Sequence, residues 1–189
     1  MIVLILIAWQ VAQAAGDPSW SEPAIVRHGV VPVVRFQARL ENEYLVIRAS
    51  HESGWHTYAM DNELRAAEAL KGKQSLGIEQ GIDIHVSEGV KLAGAWLQSK
   101  PKDLSQPEIR WFTYGFEQTV FFACRVKEIT ADQAQVRIRG QACSGETCNQ
   151  VDVTLKLSTA DHRLSRASGT AAAKSTRIKD LVPVKQPSP

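Results

Sequence analysis

From residue 30 onward the chain repeats one pattern: short stretches in which apolar and polar positions alternate, or apolar runs, each bounded by Gly, Pro or polar clusters. That is a strand period. Residues 151–157 show it most cleanly, with Val151, Val153, Leu155 and Leu157 on one face and Asp152, Thr154 and Lys156 on the other. A half-buried antiparallel strand needs this arrangement, because successive side chains point to opposite sides. Residues 30–40 form a second candidate, and Pro32, which has no ladder donor, places it at the start or edge of a sheet. After the turn Glu41-Asn42-Glu43, residues 44–50 read as its hairpin partner. Further strands are predicted at 54–58, 82–87, 120–128 and 135–139. Residues 63–71, rich in Ala, Leu and Glu and followed by Gly72, read as the one short helix. About seven short strands separated by turn signals predict a mainly β domain, an antiparallel β-sandwich, although a small barrel uses the same pattern.

The two ends break the pattern. Residues 1–9 are an apolar run followed by Ala12-Gln13-Ala14, which reads as a signal peptide over residues 1–14 with a small-residue cleavage site, although no Lys or Arg precedes the run. It is too short to span a bilayer, for which roughly 20 apolar residues are required. Export is the implied fate, and residues 15–29 read as a lead-in to a domain over 30–164. Residues 165–189 shift to Ser, Ala, Gly, Thr, Lys and Pro and are predicted to form a disordered tail. That tail carries Arg166, Lys174, Arg177, Lys179 and Lys185 against Asp180, a net +4 that leaves −2 on the rest of a chain whose total is +2. It reads as a solvated linker, with weak contact to an anionic membrane surface as the sharper alternative. The basic residues neither cluster nor interleave with aromatics in the central region, so nucleic acid is not an expected partner. At 189 residues the chain has enough for one core and too few for two.

Chemistry concentrates in Cys143-Ser144-Gly145-Glu146-Thr147-Cys148, which joins two predicted strands. The cysteines stand at the shoulders of a four-residue hairpin loop. Opposed residues of an antiparallel pair have Cα atoms about 4.5–5.5 Å apart, within disulfide reach. As an inert staple such a bridge would contribute little, on the order of 2 kcal/mol for so short a loop and less when a hairpin already holds its ends. A bond that stabilises so little is better explained by opening and closing, and a loop tip is accessible to a partner. Arg137 and Arg139 would favour a thiolate and Glu146 would oppose it, so the sign of any shift stays open. Zinc would need four ligands; no second cysteine pair and no His-x3–5-His spacing exists among His28, His51, His56, His85 and His162. Neither a metal nor another cofactor is expected. The third cysteine, Cys124, falls on an apolar face with Val120, Phe122 and Val126 and reads as a buried free thiol.

Taken in order, Gly54-Trp55-His56-Thr57-Tyr58, Lys100-Pro101-Lys102, Tyr114-Gly115-Phe116-Glu117-Gln118-Thr119-Val120 and Gln141-Ala142-Cys143 to Cys148 resemble the N-terminal periplasmic domain of DsbD, the disulfide-corrector domain. The resemblance covers roughly residues 30–157. It implies an immunoglobulin-like sandwich that passes reducing equivalents from a membrane thiol reductase and thioredoxin-like donor to oxidised exported proteins. It implies further that Cys148 is the nucleophile and Cys143 the resolving thiol, and that an aromatic cap shields the pair, a place held here by Trp111, Phe112 and Tyr114. The chain departs from the family pattern in a loop one residue shorter between the cysteines and in Asn149 and Gln150 where prolines often follow. Acidic residues expected in the cap are not matched at Trp111 and Phe112.

Two functions of different class follow. In the first, the chain is an extracytoplasmic, periplasmic thiol-disulfide oxidoreductase domain acting on thioredoxin-fold exported proteins. In the second it is a non-catalytic binding or assembly module whose disulfide only pins a hairpin.

Overall fold

Alternation along the longest strands decides the architecture, because each presents one continuous apolar face that only a second sheet can cover. The structure is a computed structural model describing residues 20–75, 77–160 and 176–187. Expectations for residues 1–19, 161–175 and 188–189 lie outside the described residues. The strands in chain order are β1 (Ala24–His28), β2 (Val31–Glu41), β3 (Tyr44–His51), β4 (His56–Tyr58), β5 (Asp83–Glu88), β6 (Val90–Gln98), β7 (Lys102–Asp103), β8 (Tyr114–Phe116), β9 (Thr119–Ile129), β10 (Gln133–Cys143), β11 (Cys148–Ser158) and β12 (Val182–Pro183), with helix α1 (Asn62–Leu70) between β4 and β5.

One sheet runs β1-β2-β3-β9-β6-β12 and the other β11-β10-β4-β8-β7, with β5 also on β10. The described pairings are antiparallel, as an immunoglobulin-like β-sandwich requires. Phe36, Ile47 and Phe122 from the first sheet and Phe116, Ile138 and Leu155 from the second are buried between the layers. Phe116 and Phe122 meet edge to face, ring centroids 5.4 Å apart, and lock β8 of one sheet against β9 of the other. Burying one such ring contributes about 1.5–3 kcal/mol.

β10 has a divided edge that sets up the site. Its first half pairs with β5, from Gln135↔Glu88 to Arg139↔Asp83, and its last two residues pair with β4, as Ala142↔Thr57 and Cys143↔His56. Gly140 sits at the changeover with φ +145°, and a Cβ there would lie 2.9 Å from the Gly81 carbonyl oxygen. Read as punctuation, this glycine predicts an end at residue 139; instead the strand runs on to Cys143 because only glycine tolerates the close approach.

Three other expectations change. The lead-in over 15–29 contains β1, a strand paired to β2, since Val26 is apolar and inward enough to be buried. β6 has no counterpart in the sequence pattern, because Gly94, at φ +80°, and a register shift between Ala93 and Leu97 break its alternation. The disordered tail is corrected for residues 176–187. There a short 3-10 turn (Ile178–Asp180) and β12 dock on β6, and Val184 is buried. Two buried carboxylates explain the docking: Glu41 Oε1 accepts the Thr176 backbone N–H at 2.7 Å, and Asp61 Oδ2 accepts that of Lys185 at 2.8 Å. Composition does not reveal such anchors because they lie far away in sequence.

Candidate active site

The β10–β11 hairpin is paired in register from Gln133↔Ser158 to Cys143↔Cys148, and Ser144 N–H donates to Thr147 O at 2.8 Å to close the loop. The two cysteines are bonded, with S–S 2.04 Å and Cα atoms 4.0 Å apart. Their environments differ: Cys143 is 1% exposed, whereas Cys148 is open to solvent.

Strand parity places the bond on the outer face of its sheet. Val136, Ile138 and Ala142 point into the core, so Arg137, Arg139, Gln141 and Cys143 point away from it. Cys143 is nonetheless buried, and so is Tyr58, which shares this outer face through the pairing of β4 with β10. Two hydrogen bonds bring further chain to this side of the sheet. Gln80 N–H donates to Gln141 Oε1 at 2.8 Å, and Trp111 Nε1–H donates to the neighbouring Glu79 Oε2 at 2.8 Å, so residues 79–80 and Trp111 lie over this face.

Across the sheet, Cys148, Cys143 and His56 form one row on β11, β10 and β4. His56 Nε2 lies 3.2 Å from the Tyr58 hydroxyl, the rings edge to face at 5.3 Å. Burial holds the His56 imidazole below its ordinary pKa, against the upward pull of Glu117 and Glu79. Burial pushes the Tyr58 phenol well above its ordinary value, and Glu79 adds to this. His51 is also lowered, chiefly by burial. Its Nδ1–H donates to Gln118 O at 2.6 Å, so Nε2 accepts from Thr57 Oγ1 at 2.9 Å. Glu117 is held below the usual carboxylate range first by its hydrogen bond from Lys102.

The rim on the other side comes from β1. Asn149 Oδ1 accepts from His28 Nδ1 at 3.1 Å, and Asn149 Nδ2–H donates to Arg27 O at 2.8 Å, so the residue after Cys148 is clasped to the edge strand. His28 in turn packs on Trp55 at 5.6 Å between ring centroids. Beside Trp55 a cleft of about 510 Å³ opens, lined by His51, Glu52, Gly54, Glu117 and Gln118 among others.

Of the residues singled out from sequence, Cys143 and Cys148 come together and Trp111 reaches the same face through Glu79. Phe112 is half-buried beside the buried Thr113. Tyr114 packs against the core, with the Arg65 guanidinium 5.9 Å over its ring. Arg137 and Arg139, the cations that could favour a thiolate, are each engaged by a carboxylate: Arg137 by both oxygens of Asp152, at 2.8 and 2.6 Å, and Arg139 by Asp83 at 2.7 Å. Cys124 is buried and outside any disulfide, as its apolar face predicts, and burial raises its thiol pKa. Among the described residues no three His, Cys, Asp or Glu side chains converge as metal ligands, and no helix is long and apolar enough to cross a membrane. His56 and Glu117 lie in motifs that carry the resemblance, but nothing in the sequence places them, Glu79 or Asn149 at the site. Only the register of β4 against β10 could reveal His56, and β4 is three residues long.

No model of a known protein family and no curated protein matches the sequence. Solved structures match it in shape. The N-terminal periplasmic domain of ScsB from Proteus mirabilis superposes with a TM-score of 0.50 at 15% identity, covering 86% of this chain and 62% of that one. The reduced N-terminal domain of DsbD from Neisseria meningitidis gives 0.46 at 13% identity, covering 65% of this chain and 82% of that one. A structure of the complex between the DsbD and PilB N-terminal domains of the same organism gives 0.43 at 10%, covering 76% and 91%. The chain thus spans 62% of the length of the ScsB chain it matches. Its structural neighbours are the N-terminal periplasmic domain of ScsB and the N-terminal domain of DsbD, the domain that residues 30–157 resemble, and at this identity what the chain shares with them is the fold.

Proposed function

We propose that the chain is an extracytoplasmic thiol-disulfide exchange domain, exported by residues 1–14, which passes reducing equivalents from a membrane thiol reductase or thioredoxin-like donor to oxidised exported proteins of thioredoxin fold. The observation that carries this reading is the unequal exposure of a bonded pair at a hairpin end: Cys143 is buried and Cys148 is open. An exchange site needs one sulfur that a partner can reach and a second, shielded from competing partners, that can reach the first.

In the reduced domain the Cys148 thiolate attacks one sulfur of the partner's disulfide. A Cys148–partner bond forms, and the partner's other sulfur leaves as thiolate. Cys143, deprotonated, then attacks Cys148 Sγ; the intramolecular bond forms and the partner's second sulfur leaves. The partner gains two electrons, the domain loses two, and the donor restores the dithiol by the reverse chemistry. Trp111, with the half-buried Phe112 and Tyr114 nearby in sequence, is proposed to shield the pair between partners. The periplasmic character of the structural neighbours supports the compartment.

Trapping tests this. Cys143→Ser, reduced and mixed with an oxidised thioredoxin-fold protein, is expected to accumulate a mixed disulfide on Cys148. A folded variant that forms no adduct would instead favour the assembly-module reading, in which the bridge is a fixed staple.

A further inference from the structure

The resolving step has a difficulty that the capture step lacks. Cys148 can lose its proton to water, but Cys143 is 1% exposed and water has almost no access to its thiol. A buried thiol that must attack needs a proton acceptor inside the site. Cys143 is paired with Cys148 on one side and, on the other, stands in register with His56. Directly opposed residues in an antiparallel pair project to the same face with Cβ atoms about 4.5–5.5 Å apart. The thiol and the imidazole therefore share the covered outer face.

We propose that His56 accepts the proton of Cys143 when that thiol attacks the mixed disulfide on Cys148. This rests on the exchange reading above. In the tautomer that donates from Nε2 to the Tyr58 hydroxyl, 3.2 Å away, the lone pair lies on Nδ1 and can take the thiol proton. As the Cys143–Cys148 bond forms and the partner sulfur departs as thiolate, the imidazolium passes its proton to that sulfur or to water, so no charge is left behind.

The groups around His56 suit the task. Glu117, from the turn after β8, and Glu79, from the segment before β5, both favour the imidazolium. His51, at the end of β3, opposes a second positive charge nearby, Lys102 on β7 binds Glu117, and Tyr58 keeps its proton. Burial wins over the two carboxylates and keeps the resting imidazole neutral near pH 7, the state an acceptor needs.

Single-turnover kinetics with 5,5′-dithiobis(2-nitrobenzoate) read the two steps separately. The first coloured thiolate reports capture by Cys148 and the second reports resolution by Cys143. In the reduced wild-type domain the resolution rate should rise with pH through the histidine range and then level off before the thiol range. A rate that rises in proportion to hydroxide throughout overturns the inference without any variant. In His56→Gln the ratio of resolution to capture at pH 7 should fall by roughly a hundredfold or more, the lower end of the usual range for a general base, and the plateau should vanish. His56→Asn should behave alike; an unchanged ratio and profile in both variants also overturns the inference. If Cys143→Ser shows no capture at all, the exchange reading itself fails, and the role of His56 with it.

Discussion

Cys143 and Cys148 are bonded across the end of one hairpin, yet the first is buried on the covered outer face of its sheet and the second is exposed. Residues 79–80 and Trp111 extend over the outer face of β10, while β11 carries Cys148 beyond it to the sheet edge.

Alkylation of the reduced protein should follow this asymmetry. Iodoacetamide under native conditions is expected to modify Cys148 first, Cys143 later and Cys124 last, and all three together in denaturant. Peptide mass spectrometry over a time course checks the order. Modification of Cys143 before Cys148 would contradict the covering layer.

Stability should fall as the medium is acidified through the histidine range. His51 and His56 have folded pKa values below the unfolded value of about 6.5. Below that value the unfolded chain therefore binds protons that the folded one refuses, and stability drops as pH falls toward the folded values. Urea titrations between pH 7 and pH 5 should show this slope, and His51→Gln should flatten it. A wild-type curve that is level through this window would count against burial as the cause of the shifts.

The anchors of residues 176–187 should be costly to remove. Burial alone would raise the Asp61 pKa, but Arg65, the Lys185 N–H and Gln98 outweigh it, and the carboxyl is held low. Its contribution is thus present above the ordinary carboxylate value and lost as pH falls through the folded one. Asp61→Ala strands Arg65, whose Nε is 2.7 Å from Oδ1, and releases the Lys185 backbone. A loss of about 3–5 kcal/mol is expected for such a buried partner, measured as a lower urea midpoint. A loss under about 0.5 kcal/mol, the size of an ordinary surface substitution, would show that the segment is not held there.

Gly140→Ala should destabilise by about 1–3 kcal/mol, because the new Cβ meets the Gly81 oxygen at 2.9 Å and φ is +145°. The strain falls three residues before Cys143, where β10 changes partner, so the same variant should alter the reduction potential of the pair. A thermal melt and a redox titration of one preparation test both effects.

Most of the layer structure could be read from alternation, because long strands such as β10 and β11 bury every second residue with few exceptions. β6 escaped through its bulge at Gly94, and the strand between 133 and 143 was cut short at Gly140, both places where backbone geometry overrides side-chain pattern. The cysteine pair was legible because a hairpin makes a local contact. His56, Glu79 and Glu117 were not, since they reach the site through pairings 87 residues or so apart in the case of His56 and Cys143, and no local period records them. The same blindness hid the docking of residues 176–187 on Glu41 and Asp61.

The central claim is that the Cys143–Cys148 bond is made and broken in use. Equilibrating the domain with buffers of defined thiol-disulfide ratio, and counting free thiols, measures its reduction potential. Exchange chemistry predicts a midpoint well above about −300 mV. A midpoint below that value would mark a bond that the pool of small thiols leaves intact, and would contradict the account.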